Sequence, residues 1–190
     1  MGDIVVTEFV SLDGVFEDPG GASEFKHGGW SFQFNRGADG DQFKLDELDD
    51  ADAQLLGRVT YEGFAAAWPD MEHSAGKFGE KMNGMPKYVL SQTLTRADWT
   101  NSTILRGELG HEVAELKARY DGDILVAGSG TLVQGLLAHD LIDELHLMVF
   151  PVVLGSGRRL FGDADDPVTL APAGVQTVGD GVVILTYRKP

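Results

Sequence analysis

The sequence predicts an α/β protein: a three-layer α/β/α sandwich with a mostly parallel central sheet and antiparallel C-terminal strands. Two observations lead to this prediction. In the first two thirds of the chain, short apolar runs alternate with segments of helical periodicity, which is typical of parallel strands joined by helices. After Ile142 only strand patterns follow, and the last two, at 168–178 and 182–188, flank a glycine-rich turn typical of a hairpin.

Length, charge and composition limit the number of domains, the partners and the kinds of site that the protein can have. The chain is predicted to be a single domain, 1–190, because no linker or internal repeat divides it. Its 30 acidic and 15 basic side chains give a net charge of −15, which argues against nucleic acid or an anionic membrane as partner. It has no cysteine, so disulfides and thiolate metal sites are excluded. Without a secretory signal or a long apolar segment, we expect a cytoplasmic protein.

The first predicted strand ends in a candidate binding loop. This strand covers 4–12, and a long loop with several aromatic residues follows it. Asp13 comes where α/β sheets bind ligands, so it is a candidate to bind substrate, although Asp-Gly pairs also form ordinary turns. The aromatic residues Trp30, Phe34 and Tyr61 are candidates to line a pocket for a planar ring, with packing in the core as the alternative.

The remaining elements follow from periodicity and from residues that break it. Residues 39–56 are predicted to be helical and then extended, with the acids of this segment on a solvated face. A helix that begins at Arg58 should stop at Pro69. Pro151 interrupts the apolar run 144–154, which indicates a bulge or an edge strand. Further strands are predicted at 86–91, 103–106 and 123–127, and helices at 109–120 and around 132–137.

Two strands each end in glycine and lead directly into a helix. Helix N-termini present free N–H groups and a partial positive charge, and glycine lets a phosphate approach the backbone. Two such turns on one sheet could hold a dinucleotide, or they could simply connect strand to helix. Neither turn matches the G-x-G-x-x-G fingerprint or a Walker A loop. The segments are Gly57-Arg58-Val59-Thr60 and Gly128-Ser129-Gly130-Thr131.

An acidic protein needs local positive charge to bind phosphate, and several cations could supply it. The histidines show no metal-ligand spacing, so we predict no metal site, and His146 is expected to be a satisfied core or pocket residue. No G-x-S-x-G nucleophile turn is present. The candidate cations are Arg58, Lys87, Arg96, Arg106, Arg158 and Arg159.

Six segments in order give the chain a resemblance to the dihydrofolate reductase-like family, specifically to the reductase (C-terminal) domain of RibD, the riboflavin-biosynthesis protein. Together these segments span about the whole chain. They are Ser11-Leu12-Asp13-Gly14, Leu56-Gly57-Arg58-Val59-Thr60-Tyr61-Glu62, Tyr88-Val89-Leu90-Ser91, Val126-Ala127-Gly128-Ser129-Gly130-Thr131-Leu132, Asp143-Glu144-Leu145 and Pro151 to Phe161.

The resemblance implies a dihydrofolate reductase-like sandwich that binds NADPH, with NADH as the alternative cofactor. By position in the family, Gly57, Arg58, Val59, Thr60, Ser91 and Gln92 would bind the phosphate and adenosine end. The turn formed by Gly128, Ser129, Gly130, Thr131 and Leu132 would carry the pyrophosphate, and Val10 and Val15 would flank the nicotinamide.

The same resemblance implies a homodimeric, NADPH-dependent reductase that passes hydride to a small planar aminouracil-, pterin- or carbonyl-like substrate, as 5-amino-6-(5-phosphoribosylamino)uracil reductase does. Asp13, Asp41 or ordered water are the candidate proton donors. The chain departs from some relatives in having Thr131 where they carry Arg, and in lacking an Arg after Ser91. These departures motivate a second hypothesis, a non-catalytic nucleotide-binding module of the same fold.

Overall fold

A computed structural model describes residues 1–162 and 167–190. These residues form eight strands, five α-helices and a short 3₁₀ turn at Trp30–Gln33. The strands are β1 (Ile4–Ser11), β2 (Ala51–Gly57), β3 (Lys87–Leu90), β4 (Ser102–Leu105), β5 (Asp123–Val126), β6 (Glu144–Phe150), β7 (Ala171–Val178) and β8 (Val182–Arg188). The helices are α1 (Gly37–Asp50), α2 (Arg58–Met71), α3 (Gly76–Gly84), α4 (Leu109–Arg119) and α5 (Gly130–Ala138).

All eight strands form one sheet in the order β4-β3-β2-β5-β1-β6-β8-β7. Strands β1 to β6 are mutually parallel, whereas β8 runs antiparallel to both β6 and β7. This arrangement confirms the predicted sheet, including the C-terminal hairpin. It also brings the carboxyl ends of six strands to one edge, where α/β sheets bind their ligands.

Helices cover both faces of the sheet, as predicted. On one face, Val6 and Val126 pack with Val113 of α4 and Leu136 of α5. The other face carries α1, α2 and α3, and a representative core residue there is Leu48 of α1. The alternation of side chains along each strand therefore buries β1 on both faces, which explains its continuous apolar character.

Two sequence predictions about proline need correction. Helix α2 does not stop at Pro69 but continues to Met71. Pro69 lies in the last turn, so the hydrogen bond lost with its N–H affects only the end of the helix. Strand β6 does end before Pro151, but it lies between β1 and β8 rather than at an edge. Burial inside the sheet explains the apolar run 144–150.

Helix α3 was not predicted, because three glycines and few apolar residues hide its periodicity. No helix in the described ranges, 1–162 and 167–190, is long and apolar enough to cross a bilayer.

The sheet contains a notch at its carboxyl edge. Strand β5 ends at Val126, which pairs with Val6 of β1. Strand β1 then continues for five residues along β6 to Ser11, and on the other side β2 continues past Gln54 to Gly57. The space above β5 is therefore bounded by β1 and β2, and the turn after β5 forms its floor. This notch is the position at which the two glycine-containing turns meet.

Candidate functional site

The two predicted glycine turns touch each other across the notch. The amide of Gly57 donates to the carbonyl of Gly128 over 3.3 Å. A Cβ atom on Gly57 would lie 2.1 Å from Oγ of Ser129, so no side chain can be accommodated at position 57. The strand-to-helix turns of β2 and β5 thus share one site, as a single extended ligand would require.

Glycine is also required at two positions of the β5 turn. Gly128 has a φ of 91°, a conformation that disfavours any side chain, and a Cβ there would meet Oγ1 of Thr60 at 2.6 Å. At Gly130 a Cβ would lie 2.2 Å from the ring of Phe16. Thr60 and Phe16 therefore pack directly over the glycine backbone, where they can contact whatever binds it.

The helices that begin at the notch lack side-chain caps. Neither Gly57, before α2, nor Ser129, before α5, makes a capping hydrogen bond through a side chain. By contrast, Glu108 caps α4 by accepting from the amides of Gly110 and His111. The first N–H groups of α2 and α5 are thus available for an external anion, while those of α4 are already satisfied.

A cavity of about 390 Å³ opens beside the N-terminus of α5. Arg158 and Arg159 line it together with Thr131. The guanidinium of Arg158 lies 3.0 Å from Glu17 and stacks over the Phe16 ring, with 5.6 Å between its carbon and the ring centroid. Two arginines therefore supply full positive charges beside a turn that has no charged side chain of its own.

A second basic region lies where β2, β3 and β4 end together. Gly57, Leu90 and Leu105 are in register, so the residues that follow them are neighbours. Arg58 follows β2 and pairs with Glu62 at 2.8 Å, on the surface. Arg106 follows β4 and donates to the backbone carbonyls of the loop after β3.

Ser91 and Gln92, predicted to bind the adenosine end, have structural partners of their own. The Ser91 hydroxyl accepts from the amides of Thr93 and Leu94 and so closes the loop. The Gln92 side-chain amide donates to the carbonyl of Arg106 at 2.8 Å. These contacts shape the loop beside Arg58.

Two of the candidate cations lie elsewhere. Lys87 is fully buried, and its ammonium donates to the carbonyls of Asn83, Met85 and Thr100. Burial lowers the pKa of Lys87 to about 8. Arg96 pairs with Asp98 on the surface. Lys87 is therefore a structural residue and is unavailable to a phosphate at the notch.

Asp13 is held by the loop that follows β6. Its carboxylate accepts from the Ser11 hydroxyl at 2.7 Å and from the amides of Leu154 and Gly155. The hydrogen bond from Ser11, together with those amides, lowers the pKa of Asp13 to about 2. Such a group carries no proton near neutral pH, so the structure argues against Asp13 as a proton donor and gives it a role in ordering the loop.

The other acidic candidate, Asp41, is on the surface of α1. Its side chain is 65% exposed and pairs with Arg36 at 2.8 Å. Neither acid predicted from the sequence has the surroundings of a proton donor.

The aromatic residues predicted to line a pocket are divided between two clusters. Trp30 is fully buried, its ring lies edge-on to Phe150, and Phe34 packs against the same ring. Tyr61 is buried in the other cluster, and its hydroxyl accepts from the amide of Trp99. Core packing therefore describes Trp30, whereas Tyr61 also lines a cavity of about 390 Å³ together with Trp99.

Val10 and Val15, predicted to flank a nicotinamide, are both buried. Val10 packs in the core beneath α5. The amide of Val15 donates to the Ser11 hydroxyl, which closes the turn after β1. Val59, by contrast, is 52% exposed at the start of α2.

One buried acid at the notch was missed by the sequence predictions. Glu8 lies on β1 beyond the end of β5 and is 8% exposed. Its Oε1 atom has no hydrogen-bond partner within the described residues. Burial raises the pKa of Glu8 to about 8, with Lys44 acting in the opposite direction. The signal was present in the sequence, because Glu8 interrupts the inward-facing series Ile4, Val6 and Val10.

On the opposite face of the sheet from Glu8, His146 of β6 is part of a buried ionic network. Its ring nitrogens lie 2.6 Å from Glu47 and 2.8 Å from Glu144. Lys44 pairs with Glu47 and donates to the hydroxyl of Thr7. His146 is thus a satisfied core residue, and its partners here are carboxylates.

Fold and notch define an α/β sandwich of the dihydrofolate reductase-like class, and comparison with known proteins agrees. Dihydrofolate reductase from Enterococcus faecalis, complexed with NADP(H) and RAB-propyl, superposes with a TM-score of 0.56 at 15% identity, over 98% of this chain and 96% of that one. This likeness concerns the fold.

Within this fold class, sequence comparison assigns the chain to one family. A family model for the RibD C-terminal domain matches residues 3–184. The chain therefore belongs to the RibD C-terminal domain family, which confirms the resemblance inferred from its six segments.

Two relatives match the chain along its length. The uncharacterized protein YyaP of Bacillus subtilis (strain 168) is 27% identical over 187 residues, covering 97% of this chain and 94% of YyaP. A crystal structure from Shewanella sp. PV-4, described as a riboflavin biosynthesis protein, is 25% identical with a TM-score of 0.76 and covers 99% of both chains. Each match covers at least 94% of both chains.

Proposed function

We propose that this protein is an NADPH-dependent reductase that transfers hydride to a small planar substrate. The observation that carries the proposal is the meeting of two uncapped helix N-termini at one notch, where glycine is sterically required at both turns. Membership in the RibD C-terminal domain family, with its dihydrofolate reductase-like fold, supports a reductase-type activity.

The residues around the notch fit a dinucleotide cofactor. The N–H groups of Gly130, Thr131 and Leu132 would bind the pyrophosphate, with Arg158 and Arg159 adding charge at the neighbouring cavity. Because the protein has a net charge of −15, these local cations must outweigh the mean field, and salt screens surface acids that lie farther than about 8–10 Å. When bound, the reduced nicotinamide supplies the hydride.

Arg58 and Arg106 are the groups proposed to favour NADPH over NADH. They follow β2 and β4, which lie on either side of β3, and a phosphate above the end of β3 would receive two guanidinium groups. Thr60, Ser91 and Gln92 would then border the adenosine end of the cofactor. In this proposal Arg106, one of the cations named from the sequence, takes the place of the arginine that is absent after Ser91.

The proposed substrate is aminouracil-, pterin- or carbonyl-like, as for 5-amino-6-(5-phosphoribosylamino)uracil reductase. Its binding surface would be the end of β1 and the loop ordered by Asp13. The protein would position the substrate against the cofactor and provide the electrostatic environment of the reaction, which are the usual contributions of a protein to cofactor chemistry. We further propose that the protein acts as a cytoplasmic homodimer, which sedimentation at micromolar concentration would test.

Cofactor titration tests this proposal directly. Fluorescence of the reduced nicotinamide should report NADPH binding, and Arg58→Gln should weaken NADPH about tenfold while changing NADH binding little. Arg96→Gln, at a surface ion pair outside the notch, is the matched control. Absence of NADPH binding at millimolar cofactor would overturn the proposal. Binding without turnover of any aminouracil, pterin or carbonyl substrate would favour the non-catalytic nucleotide-binding module.

A further inference from the structure

Glu8 is a buried carboxyl group at the notch with an unsatisfied oxygen. It is 8% exposed, and its Oε1 has no hydrogen-bond partner among the residues that the structure describes. Buried polar groups in proteins are almost always paired, because an unpaired one loses its hydration without compensation. A group of this kind is therefore expected to have a partner that is not part of the chain.

The carboxyl group of Glu8 lies beside the turn after β5, which is the turn proposed to bind the cofactor. Glu8 pairs with Leu147 of β6 on one side, whereas its other side lies beyond the end of β5 and faces the notch. The point where a Cβ of Gly128 would lie is 3.6 Å from Glu8 Oε1 and 2.6 Å from Thr60 Oγ1. Glu8 and Thr60 thus converge on the glycine that begins the β5 turn.

The groups that surround Glu8 keep it neutral. Thr60 of α2 and Gly128 of the β5 turn carry no charge, and Leu147 of β6 is apolar. Within the described ranges, Lys44 of α1 is the charged group that acts on the carboxyl. Desolvation exceeds the effect of Lys44, so the pKa of Glu8 lies at about 8 and the carboxyl is protonated at neutral pH.

We propose that Glu8 is the catalytic acid of this reductase and donates the Oε1 proton to the substrate. This assignment rests on the proposed function. As the C=N or C=O carbon of the substrate gains hydride from the reduced nicotinamide, the π electron pair moves to the nitrogen or oxygen. That heteroatom forms a bond to the proton as the Oε1–H bond breaks. The Glu8 carboxylate that remains regains a proton from solvent, and the nicotinamide is left oxidised.

The assignment also specifies the substrate class. An acid at this position is useful only where a basic heteroatom adjoins the carbon that accepts hydride. The preferred substrates are therefore imines and carbonyl compounds, including ring C=N bonds of planar heterocycles. An isolated C=C bond has no heteroatom to receive the proton and should be a poor substrate.

Direct titration of the carboxyl group tests the inference without turnover. In the full chain labelled with ¹³C at glutamate carboxyls, the resonance missing in Glu8→Gln should titrate with a midpoint near 8. Addition of NADPH should shift this resonance, because the cofactor turn adjoins it. Glu115→Gln, at an exposed position of α4, is the control for the substitution itself. A midpoint near 4.5, or no response to NADPH, would overturn the assignment.

Kinetics supply the second test. Glu8→Gln should bind NADPH within about twofold of the wild type, lose roughly 10²- to 10⁴-fold in single-turnover reduction and lose the alkaline limb of the pH–rate profile. Glu8→Asp should recover part of the rate. If Glu8→Gln keeps the wild-type rate and profile, Glu8 is not the acid and the reductase assignment stands. If the wild type itself fails to bind NADPH, the proposed function falls and the role of Glu8 falls with it.

Discussion

His146 joins helix α1 to the sheet through Glu47, whose Oε1 lies 2.6 Å from the imidazole Nδ1. On its other side the ring is 2.8 Å from Glu144, and that carboxylate accepts from Arg188 of β8. Charges of alternating sign therefore run from the helix through β6 to the antiparallel hairpin. A positive ring between two carboxylates satisfies both, so this network is expected to depend on pH.

Substitution of His146 should destabilise the protein most at mildly acidic pH. Burial opposes the charge, but the hydrogen bonds to Glu47 and Glu144 outweigh it and raise the pKa of His146 above 6.5. Its stabilising effect is thus complete below 6.5 and is lost as pH rises through the higher pKa of the folded state. We expect His146→Gln to lose about 3 kcal/mol at about pH 6 and less at about pH 9, by urea denaturation.

The matched control for that measurement is His139→Gln. His139 lies at the exposed end of α5, and its ring contacts the carbonyl of Gly135. Its loss should change stability by less than about 0.5 kcal/mol at either pH. Equal losses for the two variants would contradict the network described for His146.

Asp13 should contribute stability at neutral pH that acid removes. Its pKa is lowered from 3.8 to about 2, so the contribution is present above 3.8 and is lost as pH falls through about 2. Asp13→Asn leaves the amides of Leu154 and Gly155 with a weaker acceptor, and we expect a loss of about 1–2 kcal/mol near pH 7. Thermal unfolding at several pH values would measure it.

Asp41→Asn serves as the comparison for Asp13→Asn. Because the Asp41–Arg36 pair is at the surface, its removal should cost less than about 0.5 kcal/mol and leave reduction rates unchanged. A large fall in rate for Asp41→Asn would restore Asp41 as a proton-donor candidate and contradict the description of that site.

Position 57 should tolerate no residue other than glycine, whereas Gly63 in the same region should be replaceable by alanine. In Gly57→Ala the new Cβ would collide with Oγ of Ser129 at 2.1 Å and approach the Ser129 amide at 3.0 Å. We expect a loss of about 2–4 kcal/mol together with weakened NADPH binding. Gly63→Ala, inside α2 with open space around it, should instead gain about 0.5–1 kcal/mol. Denaturation midpoints for both variants test the close contact; equal effects would refute it.

Glu8 should make the protein less stable as the solution becomes more basic. Its pKa is about 8 in the folded protein and 4.5 in a solvated chain, so stability is full below 4.5 and declines as pH rises through about 8. The decline amounts to at most about 5 kcal/mol, since one pKa unit corresponds to about 1.36 kcal/mol. Glu8→Gln should lack this decline, which chemical denaturation across the range would reveal. Parallel curves for the two proteins would show that Glu8 titrates normally.

Most of the sheet could be predicted because its strands are short apolar runs bounded by glycine, proline and charged residues. The strands at 86–91 and 123–127 and the final hairpin are examples. The helix at Gly76–Gly84 escaped prediction because its contacts with α1 and α2, rather than a periodic pattern, hold it in place.

The candidate site was less accessible to sequence reasoning. The glycine turns were recognisable, since glycine marks close backbone approach whichever ligand is involved. Trp30 and Tyr61 looked the same whether buried or lining a pocket, because large aromatic side chains serve both purposes. The position of Glu8 could not be predicted without knowing the length of β5. Because β5 ends early, the carboxyl group of Glu8 adjoins the notch rather than a neighbouring strand.

The early end of β5 has a consequence for how this scaffold can diversify. The recess is created by unequal numbers of backbone residues in adjacent strands, and the hydrogen-bonded ladder beneath it is independent of the side chains around the rim. Apart from the glycines of the two turns, rim residues can therefore be exchanged one at a time, altering which molecule is accepted, while the register and the hydrophobic interior persist. New substrate specificities should therefore be obtainable by substituting residues at the rim of the recess, without changes to the strands beneath it.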